Sequence, residues 1–205
     1  MPCPEVEFRT VDAKGQPSHD YLVDGVWVPS VSYILKTNGF CDYAGVRKDV
    51  MENARQFGTA VDLACQLLDE DDLDPEYNDP KVMPRLEGWS KFCREWEFKP
   101  LIVAKPMSHA MNGMIYGMTP DRYGTCKLGN VVIDIKNTAE IMPSHQIQLA
   151  GYIQPFKTEG NGVNRFVVQL VDGGYKLHEF KDRQDERIFG AALACTYWKL
   201  AKGIK

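Results

Sequence analysis

The chain has 205 residues, 44% hydrophobic and 25% charged, with a formal net charge of −4. That length supports one sizeable core and falls short of two ordinary domains, and the composition is that of a soluble globular protein. No apolar run approaches the roughly 18 residues of a membrane span, and the acidic balance speaks against a protein that coats DNA along its length.

The start, Met1-Pro2-Cys3-Pro4-Glu5, has neither a basic segment followed by an apolar stretch nor an Arg-rich amphipathic pattern. No targeting segment is therefore expected, and the expected compartment is the cytoplasm. Six cysteines at 3, 41, 65, 93, 126 and 195 include no C-x-x-C pair, so reduced thiols are expected. Cys65 and Cys195 fall on apolar helical faces, where a thiol acts as a small hydrophobe.

Residues 5 to 31 read as short strands, with turns at Ala13 to Pro17 and at Val23-Asp24-Gly25 before Val26-Trp27-Val28. Ser30 is placed to cap a short helix through Leu35. From Tyr43 a long helix is expected, with Val50, Ala54, Phe57, Val61, Ala64 and Leu68 at three- and four-residue spacing. Gly58 interrupts this pattern, which predicts a break or the close approach of another backbone. The acidic run Asp69-Glu70-Asp71-Asp72-Leu73-Asp74-Pro75-Glu76 predicts a solvated loop, because like charges repel. A second helix follows over Pro80 to Phe98, its stripe of Val82, Leu86, Trp89, Phe92 and Trp96 facing the core.

Leu101-Ile102-Val103-Ala104 opens a central sheet, and Ser108 to Gly113 reads as a turn with His109 at its tip. Met114 to Met118 leads to Thr119-Pro120-Asp121, and Val131-Val132-Ile133-Asp134-Ile135-Lys136 has strand composition. Alternation sends Asp134 and Lys136 to one face and Val131, Ile133 and Ile135 to the other. A connection over Gly124 to Gly129 would set Asp121 opposite Asp134, so two carboxylates and an ammonium would share a patch. Carboxylates that close repel, and a divalent cation offsets the repulsion; Mg²⁺ takes one or two carboxylates together with phosphate oxygens and water. That patch suits phosphodiester hydrolysis.

After the patch, Pro143 suits the first turn of a helix that carries His145, Gln148 and Tyr152 on one face. Val163 to Val171 and Tyr175 to Phe180 make a hairpin across Asp172-Gly173-Gly174. A last helix runs from about Asp182 to Lys202 with Ile188, Ala192, Cys195 and Trp198 inward. These elements point to an α+β domain over 1–205, a central mixed β-sheet flanked by helices with an N-terminal β-hairpin. Its parts are N-terminal strands and a short helix over 1–42, a helical region over 43–98, the sheet and site over 99–181, and a C-terminal helix over 182–205.

Pro120-Asp121 followed by Asp134-Ile135-Lys136 resembles the PD-(D/E)XK nuclease signature. Gln148-Leu149-Ala150-Gly151-Tyr152 is similar to the Gln-x-x-x-Tyr motif of the RecB-like and phage exonuclease branch. Val28-Pro29-Ser30-Val31-Ser32 resembles the Pro-Ser-Val-Thr opening of its phage members. Gly58 to Asp62 sits where that branch carries Gly-x-x-x-His, with Asp62 in place of the histidine. The resemblance implies a restriction-endonuclease-like core and an Mg²⁺- or Mn²⁺-dependent deoxyribonuclease, an exonuclease rather than an endonuclease, in recombination or repair. The host cytoplasm would be its compartment if it were phage-encoded.

It further implies Asp62, Asp121, Asp134 and the Ile135 carbonyl as metal ligands, and Asp121, Asp134, Lys136, Gln148 and Tyr152 as catalytic residues. Gln148, Tyr152 and His145 would contact nucleic acid. On its own residues Asp62 also fits a solvated helix surface, and Lys136 fits either protonation state. Some relatives hold an iron–sulfur cluster through one early and three late cysteines; only Cys195 is late here, so none is expected. The partners implied are DNA ends or single strands and a recombination or single-strand-binding protein, with no membrane. The alternative is a weak or inactive nuclease-fold module that binds nucleic acid or a recombination partner.

Overall fold

The structure is a computed structural model that describes residues 6–11, 17–41, 47–159 and 161–204. The expected turn at Ala13 to Gln16, the helix start at Tyr43 and the segment Met1 to Glu5 lie outside the described residues. Strands β1 (Val6–Val11), β2 (Pro17–Val23) and β3 (Val26–Val28) form an antiparallel sheet in that order. Asp24 and Gly25 turn β2 into β3 with φ of 51° and 76°, both positive as a two-residue type I′ turn requires. Ser30 then caps α1 (Val31–Thr37), its Oγ accepting the Tyr33 N–H at 3.0 Å.

Helix α2 (Lys48–Asp69) runs unbroken through Gly58, where an added Cβ would meet nothing within 4 Å among the described residues. Neither the expected break nor a close approach is found there. Its apolar stripe meets the core only from Phe57 onward; Val50 is 52% exposed. Helix α3 (Met83–Trp96) buries Leu86, Trp89 and Phe92, as its spacing predicts. At Gly88 a Cβ would lie 2.1 Å from the Gly174 carbonyl oxygen, so α3 rests directly on the hairpin backbone.

The remaining elements are β4 (Lys99–Val103), β5 (Met107–Met111), β6 (Met114–Met118), β7 (Arg122–Cys126), β8 (Gly129–Lys136), α4 (Pro143–Tyr152), a 3₁₀ turn (Gln154–Phe156), β9 (Asn164–Val171), β10 (Gly174–Glu179) and α5 (Gln184–Ala201). The main sheet has the order β10-β9-β8-β7-β4, with β8 and β9 parallel across α4 and the other pairs antiparallel. This is the mixed sheet flanked by helices that the sequence predicts.

Alternation along β8 divides the core. Val131, Ile133 and Ile135 pack with α2 and α3, while Val132 packs with α1, α4 and α5. Both faces are covered, which is why the strand is almost continuously apolar. Among the described residues no helix is long and apolar enough to cross a membrane.

Three local expectations are corrected. Residues 107 to 111 form strand β5, paired with β6 through a turn at Asn112-Gly113, so His109 lies mid-strand against the Tyr116 ring rather than at a tip. Gly124 lies inside β7, and the β7–β8 turn is Lys127-Leu128 rather than Gly124 to Gly129. A Cβ at Gly124 would come 2.2 Å from the Lys99 carbonyl oxygen, so this glycine serves strand packing, not turning. On α5 the buried residues are Asp185, Phe189, Ala192, Leu193 and Thr196, whereas Ile188, Cys195 and Trp198 are exposed. Phe189 fixes that rotation by packing against Gly151 of α4, where there is no side chain to displace it.

Candidate active site

The site forms where β7 and β8 part. Their ladder ends at the pair Arg122↔Ile133 while β8 continues along β9 through Asp134, Ile135 and Lys136. The Ile135 N–H, left without a strand partner on that side, donates to Asp121 Oδ2 at 2.7 Å. Asp121 is thereby aimed at β8 just before β7 begins, and its own carbonyl accepts the Ala104 N–H at 2.9 Å. Asp134 is 1% exposed. Lys136 Nζ lies 2.8 Å from both Asp134 oxygens, but only Oδ1 is aligned to accept; Oδ2 is buried with no hydrogen bond among the described residues.

Asp62 reaches the same place from α2. It joins Asp121, Ile135 and Lys136 in lining a cleft of about 730 Å³, whose wall along α2 is Val50, Ala54, Arg55, Phe57, Gly58 and Thr59. The three carboxylates feel one another. Burial and then Asp121 push the Asp62 carboxyl up to about 6, and burial and then Asp134 push Asp121 up to about 6. Asp134 is raised too, by burial that outweighs the nearby Lys136. Burial pulls the Lys136 ammonium down, but Asp134, Asp121 and Asp62 outweigh it and hold Lys136 protonated above its ordinary value.

Two residues that the sequence does not mark as part of the site complete the cluster. Arg122 is fully buried: Nε donates to Asp69 Oδ2 at 2.5 Å, and Nη1 donates to the Asp121 carbonyl at 2.7 Å and meets Asp62 Oδ1 at 3.5 Å. Asp69, expected in a solvated acidic loop, is instead the last residue of α2, its side chain only 6% exposed and bonded also by Trp89 Nε1. The only sequence signal for this pair is a lone arginine inside the strand that follows Asp121.

On the face of β8 that carries Val132, Asp134 and Lys136, Tyr152 is 6% exposed and its hydroxyl accepts from Gln148 Nε2 at 2.9 Å. Burial, followed by the charges of Asp134 and Asp121, holds the Tyr152 phenol well above its ordinary value, so it stays neutral. Tyr152 lines a second cleft, of about 320 Å³, with His19, Tyr21, Ser30, Ser32 and Met118. Tyr21 is fixed there by a 2.7 Å hydrogen bond between its hydroxyl and Thr119 Oγ1. It lies across Gly117, where a Cβ would stand 2.2 Å from its ring. His145 is not grouped with them: its Nδ1 accepts the Met142 N–H at 3.2 Å, and burial, then Lys136 and His178, lower it to about 4.

The residues can be tested for a divalent cation on their own chemistry. Among the described residues, the cations that act most strongly on Asp62, Asp69, Asp121 and Asp134 are Lys136 and Arg122, two for four carboxylates; Arg55 also lines the cleft but is paired with Glu52, and Asp134 Oδ2 has no hydrogen bond among these residues. Among the described residues, however, no three His, Cys, Asp or Glu converge closely enough to enclose an ion by themselves. The set fits a hard cation that takes one or two carboxylates and fills its other positions with water and phosphate oxygen.

No family profile matches the chain, and no curated protein matches its sequence. Among solved structures, SSO0001 overlaps 57% of this chain and 57% of its own length, at 18% identity and a TM-score of 0.38. A "Putative exonuclease" from Eubacterium rectale overlaps 85% of this chain and 74% of its own, at 13% identity and a TM-score of 0.44. The chain thus spans little more than half of the first of these structures. At such overlaps neither likeness bears on what this chain does.

Proposed function

We propose that this chain is a metal-dependent deoxyribonuclease that hydrolyses phosphodiester bonds, acting from DNA ends. The observation that carries the proposal is the gathering of Asp62, Asp121 and Asp134 around the one ammonium of Lys136 at the end of β8, with Asp62 and Asp121 lining an open cleft whose other cation, Arg55, is already paired with Glu52. Burying unbalanced charge is costly, and one divalent ion offsets it. Asp121, Asp134 and the Ile135 carbonyl would hold Mg²⁺ or Mn²⁺, with Asp62 closing the set from α2. Bound there, the cation would polarise the scissile phosphate and lower the pKa of the attacking water.

The chain's own groups do the rest. In the metal-free chain Asp134 and Asp121 hold Lys136 as an ammonium, which donates and does not accept; Lys136 would orient the attacking water and offset charge that builds on the phosphoryl oxygens. Tyr152, neutral and steadied by Gln148, donates to a phosphate oxygen of the bound strand. His145, kept neutral and engaged at the start of α4, contributes by holding that helix. The preference for ends rests on the resemblance of Gln148 to Tyr152 to the exonuclease motif.

One observation favours a second reading, a fold that binds nucleic acid without cutting it: internal cations already touch two of the carboxylates, Lys136 on Asp134 and Arg122 on Asp62. End-labelled linear DNA and closed circular DNA, each with Mg²⁺, Mn²⁺ or a chelator, separate the two. Linear DNA is expected to be degraded only with metal, and circular DNA spared. Asp134→Asn and Lys136→Ala should each reduce cleavage by roughly 10²–10³ or more while leaving the circular dichroism spectrum intact. Binding without cleavage under every condition establishes the second reading, and cleavage that survives both substitutions overturns the assignment of this site.

A further inference from the structure

We propose that Arg122 is a positioning residue for the cation site, fixing the Asp121 backbone and the Asp62 carboxylate from a base made by Asp69 and Trp89. This rests on the metal-dependent reading above. Arg122 is one of the largest fully buried side chains of the protein, and it sits next to Asp121 in the chain. Its guanidinium lies 5.7 Å from the centre of the Trp89 ring, whose Nε1 holds Asp69 Oδ1 at 2.9 Å. Asp62 and Asp69 are two turns apart on α2 and so share a face. One planar fork spans both, and with Nη1 it also reaches the carbonyl of Asp121.

The distances are unequal, and the inequality does the positioning. Arg122 meets Asp69 at 2.5 Å and Asp62 at 3.5 Å, so its charge is anchored away from the cleft. Asp62, 37% exposed, keeps its carboxylate turned toward the cleft it shares with Asp121 and Lys136. With Asp69 neutral, the guanidinium would find its nearest remaining carboxylate in Asp62 and draw it out of the cation's reach. With lysine at position 122, a single ammonium could not serve Asp69, Asp62 and the Asp121 carbonyl together.

The test is calorimetric titration of the full chain with Mn²⁺, without DNA, for the wild type and for Asp134→Asn, Asp69→Asn and Arg122→Lys, each checked by circular dichroism. Wild type is expected to bind and Asp134→Asn to lose binding. Asp69→Asn and Arg122→Lys should bind roughly tenfold to a hundredfold more weakly, the usual penalty for removing a residue that orients ligands. Cleavage by these two variants should return toward the wild-type rate at saturating Mn²⁺, a rescue that a purely structural defect would not show. If Arg122→Lys does not fold, Asp69→Asn, which keeps shape and the Trp89 bond, decides. Folded variants with wild-type Mn²⁺ affinity overturn the role of Arg122 alone. A wild type that binds no Mn²⁺ overturns the metal-dependent reading and this proposal with it.

Discussion

Asp121 closes the end of the β7–β8 ladder: its Oδ2 accepts the Ile135 N–H at 2.7 Å, two residues along β8 from Ile133 of the last backbone pair, Arg122↔Ile133. A single side chain thus does two jobs. It satisfies a backbone donor that the departing strand leaves open, and it stands in the pocket of negative charge beside Asp134.

Those jobs come apart in two substitutions. Asp121→Asn keeps an oxygen for the Ile135 N–H but lacks the charge a cation needs. Asp121→Ala removes both and leaves a donor unmatched, which costs about 1–3 kcal/mol. Both are expected to abolish metal-dependent cleavage, and only Ala should lower stability by that amount. Urea denaturation of the metal-free proteins, read beside a cleavage assay, checks the separation.

The metal-free protein should lose stability as pH rises. The Asp62 and Asp121 carboxyls, ordinarily near 3.8, sit at about 6 in the folded chain, raised first by burial and then by a neighbouring carboxylate. A carboxyl raised on folding favours the native state while it is protonated. Its contribution is complete below 3.8 and is lost as pH climbs through about 6. In chelator these two groups are therefore expected to lower the melting temperature between about pH 4 and about pH 6.5, against a smaller opposite contribution from His145, whose lowered value favours the native state as pH rises. Added Mg²⁺ should raise it far more at the upper end, because binding must displace protons at the lower one. A melting temperature independent of Mg²⁺ at the higher pH would remove these residues from the ligand set.

The pairing of Asp121 with β8 was legible because strand alternation and a short connection constrain it strongly. Even so, the connection itself was misplaced: Gly124 signals a turn by composition, whereas its missing side chain admits the Lys99 carbonyl. The phase of α5 was not legible, since apolar residues occur on both sides of that helix and only the contact of Phe189 with Gly151 selects one. Asp69 and Arg122 were hidden for another reason. Their contact joins residues 53 apart, and an aspartate heading an acidic run carries no local mark of burial.

Two glycines separate packing from propensity. At Gly88 an alanine methyl would strike the Gly174 carbonyl, a backbone atom held by the hairpin, and either α3 or the β9–β10 turn must move. Gly88→Ala should cost about 3 kcal/mol. At Gly58 a methyl meets nothing within 4 Å among the described residues, on an otherwise regular helix. Gly58→Ala should stabilise by about 1 kcal/mol, the helix-propensity difference. Denaturant midpoints at constant slope check both, and a stabilised Gly88→Ala would contradict the packing of α3 on the hairpin.

Tyr152 and Gln148 are expected to act as one unit on the DNA rather than on the cation. Gln148 Nε2 donates to the Tyr152 hydroxyl at 2.9 Å, which leaves the phenolic proton free to be given elsewhere. The phenol stays neutral because burial and the charges of Asp134 and Asp121 all disfavour its anion. A neutral donor beside a carboxylate cluster suits a phosphate oxygen. Tyr152→Phe keeps the ring that packs against α1 and α5 but lacks that proton, so stability should change by only about 1 kcal/mol. Cleavage should fall by roughly 10²-fold, as for the loss of one donor to developing negative charge. Gln148→Ala should produce part of the same loss, and the double substitution should cost less than the sum of the two. Mn²⁺ affinity should match the wild type in all three. Steady-state cleavage rates and a calorimetric Mn²⁺ titration measure both quantities, and fully additive losses would show that the two side chains do not work through one hydroxyl.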